Sequence, residues 1–106
     1  MDGVLLLHYA KFMARVTWDE RAVNHMLEVH QVTVAEATQA VNDLDAVHYS
    51  PDPAGKSGLT DRVVGYSRSR RQILVVILLR ADGDYEGVNA WPANSTYTRK
   101  YREATS

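Results

Sequence analysis

The segment RVVGYSRSRRQILVVILLR, residues 62–80, decides the fold of this chain of 106 residues. Residues 73–79 (ILVVILL) are apolar without interruption, which is typical of a central strand that is covered on both faces. Residues 62–68 (RVVGYSR) predict a second strand, and the polar connector between the two runs has the length of a hairpin loop. The segment therefore predicts an antiparallel hairpin at the centre of a β-sheet.

The residues that follow predict one more strand of the sheet and then a final helix. An Asp-Gly pair at residues 82–83 is a strong signal for a tight turn between antiparallel strands. Residues 85–91 predict the next strand. A proline ends that strand, and Ser95 or Thr96 is placed to cap a final helix that continues through Arg102.

The N-terminal half predicts a short strand and a first helix. Residues 15–18 (RVTW) favour a strand, and a helix is expected from about residue 19 to residue 30. Thr17 and Glu20 have the spacing of a capping box at the start of this helix. One stripe of the helix is expected to face the sheet: Val23, Met26, Leu27 and His30.

The second helix has a clearer start signal. Thr33 and Glu36 form another capping box, and the helix is expected to end near Asp43. Because the link between the two helices is short, they should form a compact helical hairpin. The apolar residues of the second helix recur at helical spacing: Val34, Ala37, Ala40, Val41 and Leu44.

The order of the elements defines the predicted fold class. A strand and two helices precede three or four antiparallel strands and a last helix. This order indicates an α+β domain in which the N-terminal helix pair packs on an antiparallel β-sheet, with a C-terminal helix. We expect one domain across residues 1–106, with residues 1–13 as an extra N-terminal arm or strand.

The composition favours a globular protein and excludes several classes of site. Hydrophobic residues make up 45% of the chain, and no apolar run approaches the roughly 20 residues of a membrane-spanning helix. The lack of cysteine excludes disulfides, thiol catalysis and thiolate metal ligands, and we expect a cytoplasmic protein. Residues 1–55 carry three Lys/Arg against eight Asp/Glu, a net charge of −5, and residues 56–106 carry nine against five, a net charge of +4. The second half can therefore supply a basic surface for an anionic partner.

Residues 25–30 (HMLEVH) look like a zinc-protease motif but have a different spacing. Zinc-binding helices place two histidines four residues apart, so that both rings lie on one face. His25 and His30 are five residues apart, which separates them by about 140° around a helix. We therefore expect no metal here, and no other cofactor is indicated.

The pattern of residues 16–41 resembles the opening of the BrnT-type toxins of bacterial toxin–antitoxin pairs. The matching residues are Trp18, Asp19, His30, Val32, Glu36 and Ala37. Residues 61–80 resemble the paired strands of the same family, and the resemblance extends over about residues 16–101. It implies a small RelE-like fold, endoribonuclease activity on mRNA, free or bound to ribosomes, and neutralisation by a small antitoxin protein. It also implies an oligomer, formed either with the antitoxin or between copies of this chain.

The chain departs from the family pattern at specific residues. Trp91 stands where the family usually has an arginine, Pro92 follows it, and Gln31 replaces the glycine after the helix histidine. RNA cleavage requires a cation that stabilises charge on the reacting phosphate. A second interpretation therefore remains open, namely a non-catalytic relative that keeps the fold to bind a partner protein.

The chemistry of RNA cleavage selects the candidate catalytic residues. Transfer to a neighbouring 2′-hydroxyl requires a base, a cation and an acid. His30 is the candidate base or acid, Arg68 is the candidate cation, and Arg80 and Tyr97 complete the set. Each residue also has a structural alternative. In these alternatives His30 is simply packed at the helix end, and Arg68 only keeps the hairpin loop soluble. Arg80 only closes its strand, and Tyr97 only docks the last helix. We expect cleavage without a metal, because no acidic cluster is placed to hold magnesium.

The candidate RNA-binding residues are basic and lie in the hairpin loop and the last helix. They are Arg70, Arg71, Arg99, Lys100 and Arg102. Basic side chains near tyrosines are suited to phosphate contact and base stacking. We expect the two groups to border one groove.

Overall fold

A computed structural model describes residues 15–105 of the chain. Its helices and strands are β1 Val16–Trp18, α1 Glu20–His30, α2 Val34–Val41, β2 Val47–Tyr49, β3 Thr60–Ser67, β4 Gln72–Ala81, β5 Asp84–Pro92 and α3 Ser95–Thr105. None of these helices has the length and apolar character needed to cross a membrane. The arm or strand expected in residues 1–13 lies outside the described residues.

The five strands form one sheet in the order β1-β5-β4-β3-β2. The predicted central hairpin is confirmed, since β3 and β4 pair antiparallel with Thr60 opposite Leu79. β5 continues the antiparallel pairing on β4. The turn between β4 and β5 has positive φ at both Asp82 and Gly83, as a tight hairpin turn requires.

One edge of the sheet differs from the sequence prediction, and the other supplies the fourth of the three or four strands expected after the helices. The α+β class, with an N-terminal helix pair and a C-terminal helix, is confirmed, but β1 pairs parallel to β5 and makes the sheet mixed. No turn joins these two strands, so nothing in the local sequence indicates their relative direction. β2 adds a fifth strand against β3, and its three residues are too few to show a periodic pattern.

α1 and α2 cover one face of the sheet. The buried side chains of this face are Met26, Val32, Ala37, Ala40, Val41, Val63, Leu74, Val76, Leu78 and Ala90. α2 lies so close to β3 that a Cβ atom on Gly65 would overlap the carbonyl of Ala40. Met26 faces the sheet as predicted, whereas Leu27 is 48% exposed, because the next residue of a helix lies about 100° further round the axis.

α3 covers the opposite face of the sheet, which we call the α3 face. The buried side chains there are Val64, Ile73, Val75 and Ile77. Tyr97 and Tyr101 of α3 pack against them, so both tyrosines dock the helix. This second covered face explains why residues 73–79 are apolar at every position.

The helix caps confirm one predicted capping box and correct another. Thr33 and Glu36 form the predicted box at α2, with both hydrogen bonds present. At α1 the cap is Asp19, whose Oδ1 accepts from the backbone of Ala22 at 2.8 Å. The predicted cap Thr17 lies inside β1 instead.

The ends of α2 and α3 also differ from the prediction. α2 ends at Val41 rather than near Asp43, and Leu44 is 75% exposed. Asp43 lies in the following turn, and its carboxylate accepts hydrogen bonds from the backbone amides of Asp45 in that turn and of Tyr66 in β3. At α3, Asn94 Oδ1 accepts from the backbone of Tyr97 at 2.9 Å, so Asn94 takes the capping role predicted for Ser95 or Thr96.

Candidate functional site

An arginine lies between two aromatic rings on the α3 face. The guanidinium carbon of Arg62 is 5.5 Å from the ring centre of Trp91 and 5.1 Å from that of Tyr97. Arg62 Nε donates a 2.9 Å hydrogen bond to Asp52 Oδ1. The side chains of Arg62 and Asp52 are only 11% and 5% exposed, so this is an ion pair in the protein interior.

Four different elements bring these side chains together. Arg62 lies two residues before the buried Val64 on β3, and side chains two residues apart on a strand share a face. Trp91 is on β5, opposite Val75 of the central strand. Tyr97 lies in the first turn of α3. Asp52 comes from the loop between β2 and β3, where its backbone amide donates to the carbonyl of Thr60 at 2.8 Å.

A second cation extends the group towards solvent. Lys100 Nζ is 5.5 Å from the ring centre of Tyr97 and 5.9 Å from that of Tyr49. The two tyrosine rings meet edge to face with their centres 5.9 Å apart. We call Tyr49, Arg62, Trp91, Tyr97 and Lys100 the aromatic–cation cluster.

His30 adjoins this cluster at the ring of Trp91. The ring centres of His30 and Trp91 are 6.0 Å apart with a tilt of 43°, and His30 is half-buried at the end of α1. Two of the four candidate catalytic residues, His30 and Tyr97, are therefore linked through Trp91 and Arg62. The structure does not place Arg68 or Arg80 in the same contact network within residues 15–105.

The two histidines of α1 are closer than their spacing suggests. The ring centres of His25 and His30 are 5.9 Å apart, with the rings at 76°. The spacing predicted the direction in which each side chain leaves the helix, but the torsions of both side chains then bring the rings together. Within residues 15–105, no three histidine, aspartate or glutamate side chains are grouped as a metal site would require.

Arg80 holds a loop at the far end of the β3–β4 hairpin. Its guanidinium donates to Asp61 Oδ1 at 2.5 Å, to Ser50 Oγ at 2.9 Å and to the carbonyl of Gly58. The hydroxyl of Tyr85 also donates to Asp61, at 3.2 Å. Burial, followed by the charge of Asp61, raises the pKa of Tyr85 above its usual value. These contacts fit the structural alternative for Arg80.

Arg68 lies at the opposite end of the same hairpin. At about 3.3 Å per residue, the strand between Gln72 and Arg80 separates the two ends by roughly 26 Å, so Arg68 and Arg80 cannot contact one phosphate. Arg68 is exposed and borders a cleft of about 610 Å³ with Asp43 and Tyr66. Its guanidinium forms no ion pair within the part of the chain that the structure describes.

Arg70 belongs to the same hairpin loop as Arg68, but its guanidinium forms hydrogen bonds with other residues of the protein. Its guanidinium donates to the carbonyl of Gln31 at 2.6 Å, to Glu36 Oε1 at 3.2 Å and to the side chain of Gln72 at 2.6 Å. The backbone amide of Thr33, and then the charge of Arg70, lower the pKa of Glu36. Arg70 thus joins the hairpin loop to the connection between α1 and α2.

The other candidate RNA-binding residues are on the surface. Arg71, Arg99, Lys100 and Arg102 are all exposed. Among them, Lys100 belongs to the aromatic–cation cluster. That the arginines of the hairpin loop and those of α3 border a common groove stays a prediction.

Comparison with known proteins gives no assignment: no family model matches this chain, and no curated protein does. Membership of the BrnT-type toxins is therefore a proposal that depends on the sequence motifs and on the geometry of the cluster.

Sequence reasoning did not select Arg62, although one signal was present. Arg62 shares a strand face with an apolar residue at position 64, and a charged residue at such a position requires a partner. The sequence could not identify that partner, because Asp52 lies in a Pro/Gly-rich loop without periodic pattern. Nor could it place the rings of Trp91 and Tyr97 next to the guanidinium.

Proposed function

We propose that this protein is a toxin-type endoribonuclease that binds unpaired RNA at the aromatic–cation cluster. The observation that supports this proposal is the grouping of two cations with three aromatic rings beside His30. Aromatic rings stack on unpaired bases, and arginine and lysine bind the adjacent phosphates. The resemblance of residues 16–41 to BrnT-type toxins supplies the reaction class.

The proposed reaction transfers a phosphate from one ribose oxygen to another within the RNA. The 2′-oxygen attacks the neighbouring phosphorus while a base removes its proton, and the bond to the 5′-oxygen of the next nucleotide breaks. That oxygen receives a proton from an acid. The products are a 2′,3′-cyclic phosphate and a free 5′-hydroxyl. His30 takes the role of base or acid, and Tyr97 contacts the RNA beside it.

The proposal includes a partner and a place in the cell. A small antitoxin protein would cover part of the basic surface of α3, in a hetero-oligomer. Since the substrate would be mRNA, the protein would act in the cytoplasm. Co-expression with the adjacent gene of its operon should yield a complex that survives purification, and a protein that elutes alone would count against the toxin assignment.

Activity is tested with purified protein and a fluorescent single-stranded oligoribonucleotide, with and without ribosomes and in EDTA. We expect cleavage that persists in EDTA and leaves cyclic phosphate ends. His30→Gln should reduce the rate about 10²-fold or more if the ring carries a proton in the reaction. The matched control is Glu28→Gln, an exposed position on the same helix. Thermal unfolding of both variants separates loss of chemistry from loss of fold.

A second candidate function is a binding module without catalysis. One observation favours it: Arg68 and Arg80 lie at opposite ends of the hairpin, and Arg80 is already paired with Asp61. In this case the protein binds the oligoribonucleotide or a partner protein but leaves RNA intact with and without ribosomes, and its expression does not slow growth. The assay described above therefore distinguishes the two functions.

A further inference from the structure

Most of the hydrogen-bonding capacity of Arg62 is unused in the described structure. A guanidinium has five N–H donors, and within residues 15–105 only Nε of Arg62 has an acceptor, the carboxylate of Asp52. The terminal nitrogens of Arg62 are not among the fully buried polar atoms without partners. The side chain as a whole is 11% exposed.

The surroundings of Arg62 fix the direction in which these donors point. Asp52 holds Nε from one side, and the rings of Trp91 and Tyr97 flank the guanidinium at 5.5 and 5.1 Å. An arginine packed between rings loses little further freedom when it binds an anion, because its planar group is already oriented. Lys100 adds a second positive charge beside Tyr97.

We infer that Arg62 is the phosphate-binding residue of the site, with the neighbouring base stacked on the Trp91 or Tyr97 ring. This inference rests on the proposed RNA function and names the group that holds the phosphate. Trp91 stands where the resembling family usually has an arginine, and the structure places the guanidinium of Arg62 over that tryptophan.

A purely structural role for Arg62 makes a different prediction. If Arg62 only anchored the loop through Asp52, a lysine at position 62 would keep a charge for that pair, and RNA affinity would follow stability alone. A phosphate-binding role requires the planar fork, which lysine lacks. The substitution Arg62→Lys therefore separates the two roles, provided that folding is measured on the same sample.

The test measures the affinity of the wild type, Arg62→Lys and the control Arg21→Lys for a single-stranded oligoribonucleotide, by fluorescence anisotropy at fixed salt. Arg21 is exposed on α1, outside the cluster. We expect Arg62→Lys to weaken binding about 10- to 100-fold, the usual effect of losing charge-assisted hydrogen bonds, and Arg21→Lys to change it less than twofold. Binding by folded Arg62→Lys at the wild-type level would overturn the inference and leave the proposed function intact. A wild-type protein that binds no RNA would overturn both.

A second measurement decides the matter if Arg62→Lys does not fold. In wild-type protein labelled with ¹⁵N, the guanidinium signals of Arg62 are followed while the oligoribonucleotide, or inorganic phosphate alone, is added. We expect the Arg62 signals to shift with both probes, more strongly with RNA, while those of Arg21 stay in place. RNA binding that leaves the Arg62 signals unchanged contradicts the inference.

Discussion

The phenol of Tyr101 donates a 2.5 Å hydrogen bond to the carboxylate of Asp43, and this contact fastens α3 to the turn after α2. The same carboxylate accepts from the backbone of Tyr66 at 2.8 Å and of Asp45 at 3.0 Å. Tyr97 and Lys100 lie within one turn of Tyr101 on the same helix. The Asp43 contact therefore helps to hold the aromatic–cation cluster in place.

Tyr101→Phe should lower the free energy of unfolding by about 2 kcal/mol, since it removes one hydrogen bond to a charged group. The ring remains and keeps its packing against the α3 face. Chemical denaturation at pH 7 measures the change. The matched control is Tyr66→Phe, because the hydroxyl of Tyr66 forms no hydrogen bond with a described residue, and it should change stability by less than about 0.5 kcal/mol. Equal effects of the two variants would contradict the role of the Asp43 contact.

The same contact predicts a dependence on alkaline pH. Burial, and then the hydrogen bond to Asp43, raise the pKa of the Tyr101 phenol. A raised pKa means that the folded state favours the neutral phenol, so the contribution is complete below the unfolded pKa of about 10 and is lost as pH rises further. The stability of the wild type should therefore fall towards that of Tyr101→Phe above about pH 10. Denaturation curves of both proteins from pH 8 to pH 11 test this, and a difference that stays constant over that range would disagree with it.

Gly65→Ala should be strongly destabilising, because the added Cβ would overlap the carbonyl of Ala40 in α2. Overpacking of this kind typically costs about 1–3 kcal/mol, and more where backbone must move. Gly83→Ala is the contrasting control: its cost should be about 1 kcal/mol, from its φ of +88 alone, since no atom of the described residues lies within 4 Å of its added Cβ. Thermal or chemical unfolding of both variants ranks them. A smaller effect at position 65 would show that α2 can shift away from β3.

Local features of the sequence predicted the elements, while the long-range contacts required the structure. The strand at residues 73–79 and the helix start at Thr33 are each specified by residues that are neighbours in the sequence. The parallel pairing of β1 and the burial of Arg62 depend on residues far away along the chain. For the same reason the sequence predicted Arg70 as a surface cation but could not predict its hydrogen bond to the carbonyl of Gln31.

Arg70→Ala should destabilise the protein, whereas Arg71→Ala should not. Arg70 bonds the Gln31 carbonyl and Glu36, and removal of a partly buried charged donor costs about 1–3 kcal/mol. Arg71 is exposed, so its truncation should change stability by about 0.5 kcal/mol or less. Chemical unfolding at neutral pH compares the two variants. Similar losses of unfolding free energy would contradict a specific stabilising role of the hydrogen bond to Gln31.

Acid pH should reduce the effect of Arg70→Ala. The hydrogen bond from the backbone amide of Thr33 lowers the pKa of Glu36, and the charge of Arg70 lowers it further. A carboxyl with a lowered pKa stabilises the folded state above its unfolded pKa of about 4.3, and this contribution is lost as pH falls through the folded pKa. The stability difference between the wild type and Arg70→Ala should therefore shrink below about pH 4. A difference that grows in acid would contradict the pairing with Glu36.

Arg68→Ala and Arg80→Ala should fail in different ways, because the two arginines lie at opposite ends of the hairpin. Arg80 is paired with Asp61, whose side chain is 5% exposed, so Arg80→Ala leaves a buried carboxylate without its cation. Loss of one partner from a fully buried pair costs about 3–5 kcal/mol. Arg80 itself is 37% exposed, and water screens part of the interaction, so we expect about 2 kcal/mol. Among the described residues Arg68 has no such partner, so Arg68→Ala should change stability by about 0.5 kcal/mol or less.

Arg68→Ala should lower activity more than Arg80→Ala if Arg68 supplies a second cation to the reacting phosphate, in addition to the phosphate contact inferred for Arg62. Removal of one donor that stabilises the transition state typically lowers a rate about 10²–10³-fold. Arg68→Ala should then be folded but nearly inactive in RNA cleavage and in growth arrest. Arg80→Ala, assayed below its unfolding temperature, should retain most of the wild-type rate. The same preparations should be used for unfolding and for cleavage, so that each rate refers to a known folded fraction. A fully active Arg68→Ala would leave the chemistry to the aromatic–cation cluster, and an Arg80→Ala variant that is stable but inactive would move the reacting phosphate to the other end of the hairpin.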